Sequence, residues 1–344
     1  MNAATNTNMN TDPTQAMLSI APMMDWTDRH CRFFHRLMSR RAVLYTEMVT
    51  ADAVIHGDRE RLLGFSKDEH PVVLQLGGSD PAKLAQAARI GADWGYDAIN
   101  LNCGCPSDRV QSGTFGACLM LDAGHVAKLV EAMKAATDKP ITVKCRIGVD
   151  DQDPHQVLPD FIDHMKNAGV DAVIVHARKA WLEGLSPKEN RDVPPLDYDL
   201  VLAVKRANPS LWIGINGGIS TLDDAKTLLD GGMDEVMIGR AAYQTPADIL
   251  LNADEVLFGE APNALTRADV VRAMLPYMDN HLANGGRLNQ ITRHMIGLFA
   301  GLPGARQWRR ILSEGAHLDG AGPELVLRAL EPVERSETQK ATAA

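Results

Sequence analysis

The chain is 344 residues long, 45% hydrophobic and 23% charged. That composition suits about two domains, or one large barrel with an appendage, and excludes a collagen-like, mucin-like or wholly disordered protein. No stretch approaches the ~18 apolar residues of a membrane span, and the net charge of −9 on average disfavours a nucleic-acid partner.

Residues 1–16, rich in Asn, Thr and Ala, lack the basic and apolar regions of a secretory signal and read as a disordered lead-in. Five cysteines, an odd number, argue against a disulfide framework and for a reducing cytoplasm. Cys103 and Cys105 are spaced as neither a redox nor a zinc motif. Nothing calls for a metal, a membrane or an obligate protein partner.

From about residue 18 to 245, eight short apolar runs alternate with segments of helix length. The runs are LSIAPMM, VLYTEMV, VVLQLGG, AINLNC, ITVKCRIG, AVIVHAR, LWIGING and EVMIG. Amphipathic spacing marks Pro81–Trp94, Asp122–Thr137, His155–Ala168 and Leu222–Asp230 as helices. Strands alternating with helices imply βαβ units and a parallel sheet. Eight of them fit a closed (β/α)8 TIM barrel over residues 17–260. A doubly wound sheet would want G-x-G-x-x-G after its first strand, where this chain has APMMDWTD.

Beyond residue 261 only helical periodicity remains, so 261–332 reads as a small all-helical domain and 333–344 as a disordered tail. The charge divides with it. Residues 1–261 carry 25 Lys and Arg against 36 Asp and Glu, a net of −11, whereas residues 262–344 carry 10 against 8, a net of +2. Arg287, Arg293, Arg306, Arg309 and Arg310 fall in a stretch without any acid. A stripe of that kind is either a solvated helix face or a phosphate-binding surface.

Barrel strands are covered on both faces, so polar residues within them are anomalies. Here they are Gln75, Asn100, Asn102, Lys144, Arg146, His176, Arg178 and Asn216. The period of two puts Lys144 with Arg146, His176 with Arg178, and Asn100 with Asn102 on shared faces. They gather toward the strands' C-terminal ends, where such barrels carry their active sites. The loops NGGIST and MIGRAAY after strands seven and eight offer glycine backbone to a phosphate, at Asn216–Gly218 and at Gly239 and Arg240. The ligand could be FMN, a sugar phosphate or a substrate phosphate. Lys144 suits the flavin N1/O2 edge, Gln75 its pyrimidine edge, and a Schiff-base role for Lys144 stays open. Cys105, in LNCGCPS at the catalytic face, is a candidate nucleophile or general acid.

Taken together, APMMDWTDRHCR, VVLQLGG, INLNCGCPS, VKCRIG, IVHAR and the NGGI and IGR loops resemble the tRNA-dihydrouridine synthases. HARKAWLEGLSPKENRDVPPLDY and GLPGARQWRR resemble their bacterial A subfamily, and the match runs from about residue 18 to 320. The resemblance implies an FMN-containing barrel and a helical tRNA-binding domain. It also implies reduction of the uridine C5–C6 double bond at D-loop positions 20 and 20a, with NADPH as reductant. Pro22, Met23, Met24, Gln75, Lys144, His176, Asn216, Gly217, Gly218, Gly239 and Arg240 would hold FMN. Cys105 would give the proton to C5 as hydride reaches C6. Asn102, Arg178, Lys188, Arg191, Arg306, Gln307, Arg309 and Arg310 would meet the tRNA. A small-molecule FMN oxidoreductase of the dihydroorotate dehydrogenase type is the competing reading; the arginine-bearing helical domain is the feature it does not need.

Overall fold

A computed structural model describes residues 16–106 and 115–343, with side chains to residue 336. The barrel strands are β1 (Leu18–Ile20), β2 (Val43–Tyr45), β3 (Val72–Gly77), β4 (Ala98–Cys103), β5 (Ile141–Arg146), β6 (Ala172–His176), β7 (Trp212–Asn216) and β8 (Glu235–Ile238). All neighbours are parallel, and Leu18 opposite Val236 and Ser19 opposite Val43 close the ring. The TIM barrel read from the sequence is therefore present, with one modification. The second run makes two short pieces, Val43–Tyr45 and Val49–Thr50, each pairing with β3 at a different place.

Alternation decides which side chains fill the barrel. Leu74, Leu76, Ile99, Leu101, Val143, Cys145, Val173 and Val175 face outward into the main core beneath the helices. The inward set includes a separate apolar cluster of Val43, Tyr45, Val73, Ala98, Ile174 and Met237. Above it lie the polar anomalies.

The outer layer is built from α1 (Arg29–Met38), α2 (Pro81–Trp94), α3 (Ala123–Ala136), α4 (Pro154–Asn167), α5 (Tyr198–Ala207) and α6 (Leu222–Asp230). Each starts where an Asp or Thr side chain caps the first amides: Asp28, Asp80, Asp122, Asp153, Asp197 and Thr221. After the helix-free segment 259–266, the C-terminal part adds α7 (Arg267–Ala283), α8 (Leu288–Met295), α9 (Ala305–Gly315) and α10 (Pro323–Ala343).

Of the expected lead-in at 1–16 only Ala16 is described, and it is fully buried; residues 1–15 lie outside the described residues. Of the expected tail at 333–344, residues 333–343 form the end of α10, and Val333 is completely buried. The segment is short of apolar residues but not of helix formers, and Arg335 pairs with Glu331 one turn back at 2.6 Å.

The helical part is joined to the barrel through α1. Its N-cap Asp28 receives Arg293 at 2.5 Å and His294 at 3.0 Å, both from α8. The ring of Phe33 stacks on Tyr277 of α7 at 4.1 Å, and His30 bonds the Tyr277 hydroxyl at 2.8 Å.

Candidate active site

Inside the mouth, neighbouring strands supply a chain of amide contacts. Asn100 donates to Thr142 Oγ1 and accepts from Gln75 Nε2, each at 2.8 Å. Gln75 Oε1 accepts from Asn102 Nδ2 at 2.8 Å. Asn102 Oδ1 in turn accepts from the backbone amides of Gly104 (3.1 Å) and Cys105 (3.0 Å). Gln75, expected at a ring edge, is thus engaged at both ends of its amide. Asn102, expected at the substrate, faces inward and fixes the turn that carries Cys105.

Arg146 holds the same turn from the other side. Its guanidinium donates to Gly104 O at 3.1 Å, Lys179 O at 3.2 Å and Asn190 O at 2.9 Å. Cys105 therefore sits between two anchored strands, half-buried and in no disulfide. Cys103 belongs to the main core and is fully buried, and burial pushes its thiol up.

Lys144 donates to Asn216 Oδ1 at 3.0 Å, and Asn216 Nδ2 donates to Met237 O at 2.7 Å. Desolvation, followed by the nearby charge of Arg146, pulls the ammonium down to about 8. His176 lies beside this pair at 9% exposure, and its Nε2 is buried with no partner among the described residues. Burial first, then Arg146, Lys144 and Arg178, keeps its imidazole neutral well below the ordinary range. Gly217 and Gly218 follow at φ +113° and +71°, backbone that only glycine enters readily. A Cβ on Gly217 would lie 2.6 Å from the His176 ring.

An orphaned buried nitrogen, a glycine backbone pressed against it and a fixed lysine form a built place for a polar ligand. The residues fit a flavin phosphate and ring edge. Pro22 and Met23 are half-buried at the end of β1, and Met24 is 51% exposed at the rim. Gly239 precedes the short helix Arg240–Gln244, which no side chain caps. Arg240 pairs with Asp192 at 2.8 Å, so the protein alone gives this cation an acidic partner. Arg178 donates to the carbonyl of Pro194, while its own Nε is buried without a partner among the described residues.

The profile of the dihydrouridine synthase family matches residues 19–334. The chain belongs to that family. Relatives named tRNA-dihydrouridine(20/20a) synthase include a Shewanella oneidensis protein, 56% identical over 329 residues and covering 96% of each chain. A Xanthomonas campestris protein is 58% identical over 312 residues, 91% of this chain and 92% of its own. An Escherichia coli protein is 56% identical over 316 residues, 92% of this chain and 91% of its own. A solved 2-naphthoyl-CoA reductase complex aligns with TM-score 0.53 at 11% identity, over 71% of this chain and 50% of that one. At that identity the likeness is one of fold.

As a dihydrouridine synthase, the protein concentrates cations at its mouth although its barrel half is acidic. Lys144, Arg146, Arg178, Arg191 and Arg240 act on one another there. Lys188 and Arg191 are exposed on the loop that follows β6. On α9, Arg306, Gln307, Arg309 and Arg310 are exposed, whereas Ala305, Trp308 and Leu312 are buried, so one helix sorts its arginines outward. Arg293, 47% exposed, pairs with Asp28.

Sequence reasoning missed Tyr198, whose hydroxyl donates to Gly217 O, and Asp192. It also missed the buried Glu235, although an acid opening an apolar run is the same kind of anomaly as Lys144.

Proposed function

We propose that this protein reduces the C5–C6 double bond of D-loop uridines at positions 20 and 20a of tRNA, with bound FMN and NADPH as reductant. The observation that carries the cofactor is the orphaned His176 Nε2 against Gly217, beside Lys144 and Asn216. The names of the relatives carry the substrate.

The chemistry that FMN supplies when bound is hydride transfer. Around it, Lys144, His176 and Asn216 would hold the ring's polar side, and Gly217, Gly218, Gly239 and Arg240 the phosphate. Cys105 holds a proton for uracil C5, with its turn fixed by Asn102 and Arg146. The cations at the mouth favour the negative charge that develops on the uracil oxygen. The target base must leave its stack to enter a barrel mouth, and a D-loop uridine is poorly stacked to begin with. Arg178, Lys188, Arg191 and the α9 arginines would bind RNA phosphates. No described helix is long and apolar enough to cross a membrane, and a tRNA substrate puts the work in the cytoplasm.

Mass spectrometry of tRNA nucleosides from a deletion strain, with and without the gene restored, tests this reading. Dihydrouridine at positions 20 and 20a should vanish and return. Intact dihydrouridine in the deletion would favour the small-molecule oxidoreductase, and a purified protein without flavin absorbance would remove both.

A further inference from the structure

Below the Lys144–Asn216 pair, the barrel interior holds an acid to which the reaction above gives no task. Glu235 opens β8 and is 2% exposed. Ser19 of β1 donates to its Oε1. Gly214 of β7 stands opposite it in register, and a Cβ there would lie 3.2 Å from the Cβ, Cδ and Oε2 of Glu235. A glycine inside a strand weakens it and often marks a close approach; here the carboxyl takes the space. One row of the sheet runs Lys144, Ile174, Gly214, Glu235. Lysine and acid therefore share one hydrogen-bonded row of the sheet, with two strands between them.

We propose that Glu235 is a positioning residue for Lys144: from inside the barrel its carboxylate supports the ammonium and sets the charge that Lys144 presents at the mouth. Only the last step, the effect on a flavin, rests on the function proposed above. The hydrogen bond described for Lys144 goes to Asn216 and none among the described residues joins it to Glu235, so the support acts through space, where the low interior dielectric strengthens it. Burial lifts Glu235 to about 7 and lowers Lys144 to about 8, and each shift is opposed by the other's charge. Other groups also face the acid: Asp234, itself paired to Lys205 at 2.6 Å, Tyr45 from β2, and the buried indole nitrogen of Trp212. Arg146, Cys145 and Cys105 face the lysine. An ionised Glu235 favours protonated Lys144, so its removal must lower the pH at which Lys144 loses its proton.

The test is competitive labelling of the flavin-free protein with trace acetic anhydride, read at Lys144 by peptide mass spectrometry across pH, with exposed Lys128 as internal control. Glu235→Gln should lower the Lys144 midpoint by about half a unit or more, a roughly threefold gain in rate at fixed pH. Lys128 should not change. Ser19→Ala keeps the carboxyl but removes its donor, and should move the midpoint the same way by less. An unchanged midpoint in Glu235→Gln overturns the proposal; if that variant does not fold, Ser19→Ala decides in the same terms. With FMN bound, the potential of Glu235→Gln should depart from the parent above a pH of about 7 and merge with it below about 6. A shifted lysine midpoint with an unchanged potential would refute the flavin's place beside Lys144, not the pair.

Discussion

Cys103 and Cys105 stand two positions apart in one short motif and live in different environments. The strand's period of two puts Cys103 with Leu101 and Ile99 in the main core; it would carry Cys105 to the same face, and the two differ only because the strand ends at Cys103. Cys105 lies just past the strand, where Asn102 and Arg146 fix its turn. Cys105→Ala should keep FMN and tRNA affinity while dihydrouridine formation falls by about two to four orders of magnitude, the usual worth of a general acid. Cys103→Ala should keep its activity and lose about 1 kcal/mol of stability to a small cavity. Nucleoside mass spectrometry and thermal melting separate the two, and equal losses of activity would abolish the distinction. Gly217→Val should purify without flavin, since even a Cβ meets the His176 ring; full occupancy, read by absorbance, would move the phosphate elsewhere. The cationic cluster was legible as residues on strand faces. The inward commitment of Gln75 and Asn102 was not, because which polar groups satisfy one another depends on the register between strands, which residue types do not encode.

Among the elements, the eight runs and the helices Pro81–Trp94 and Leu222–Asp230 agree with the sequence reading, since each is periodic and bounded by turn or cap residues. The break in the second run was not legible. Val43–Tyr45 and Val49–Thr50 read as one apolar stretch, and only their separate registers on β3 reveal the interruption. Helix α9 shows what a helix adds to a charge count: Arg306, Arg309 and Arg310 lie three and four apart on one exposed face, backed by the fully buried Trp308. Replacing all three with alanine should weaken tRNA binding and flatten its salt dependence by up to about three units, one for each phosphate no longer neutralised. NADPH-dependent flavin reduction should stay at the parent rate. A binding titration across salt concentrations checks this, and a parent-like slope would leave the arginines as a solvated face. The ion pair of Arg293 was not legible, because its partner, Asp28, lies 265 positions away.

Across the whole molecule, the junction between barrel and helical domain is lined with histidines. His35 of α1 is buried beside Cys31, and burial followed by the charges of His294 and Arg36 lowers it to about 3. His30, facing Tyr277, is lowered by burial to about 4. A histidine lowered in the folded state takes up a proton more readily when unfolded. Its contribution is therefore whole above its free value of about 6.5 and is lost as pH falls toward the folded value. Melting experiments should show stability declining between pH ~6.5 and ~4 by on the order of a few kcal/mol, and less so in His35→Phe. Parallel curves for the two proteins would exclude His35 as the cause. The same junction also dictates an order of assembly. The ring closes when β8 reaches β1, and among the described residues the cationic side chains that pair with Asp28 are Arg293 and His294. On a ribosome adding about 5–20 residues per second, α1 waits roughly ten to fifty seconds for partners made near the end of the chain. Through that interval Phe34 and Met38, fully buried in the finished protein, have no complete cover, so a nascent chain halted before residue 277 is most vulnerable at its opposite end.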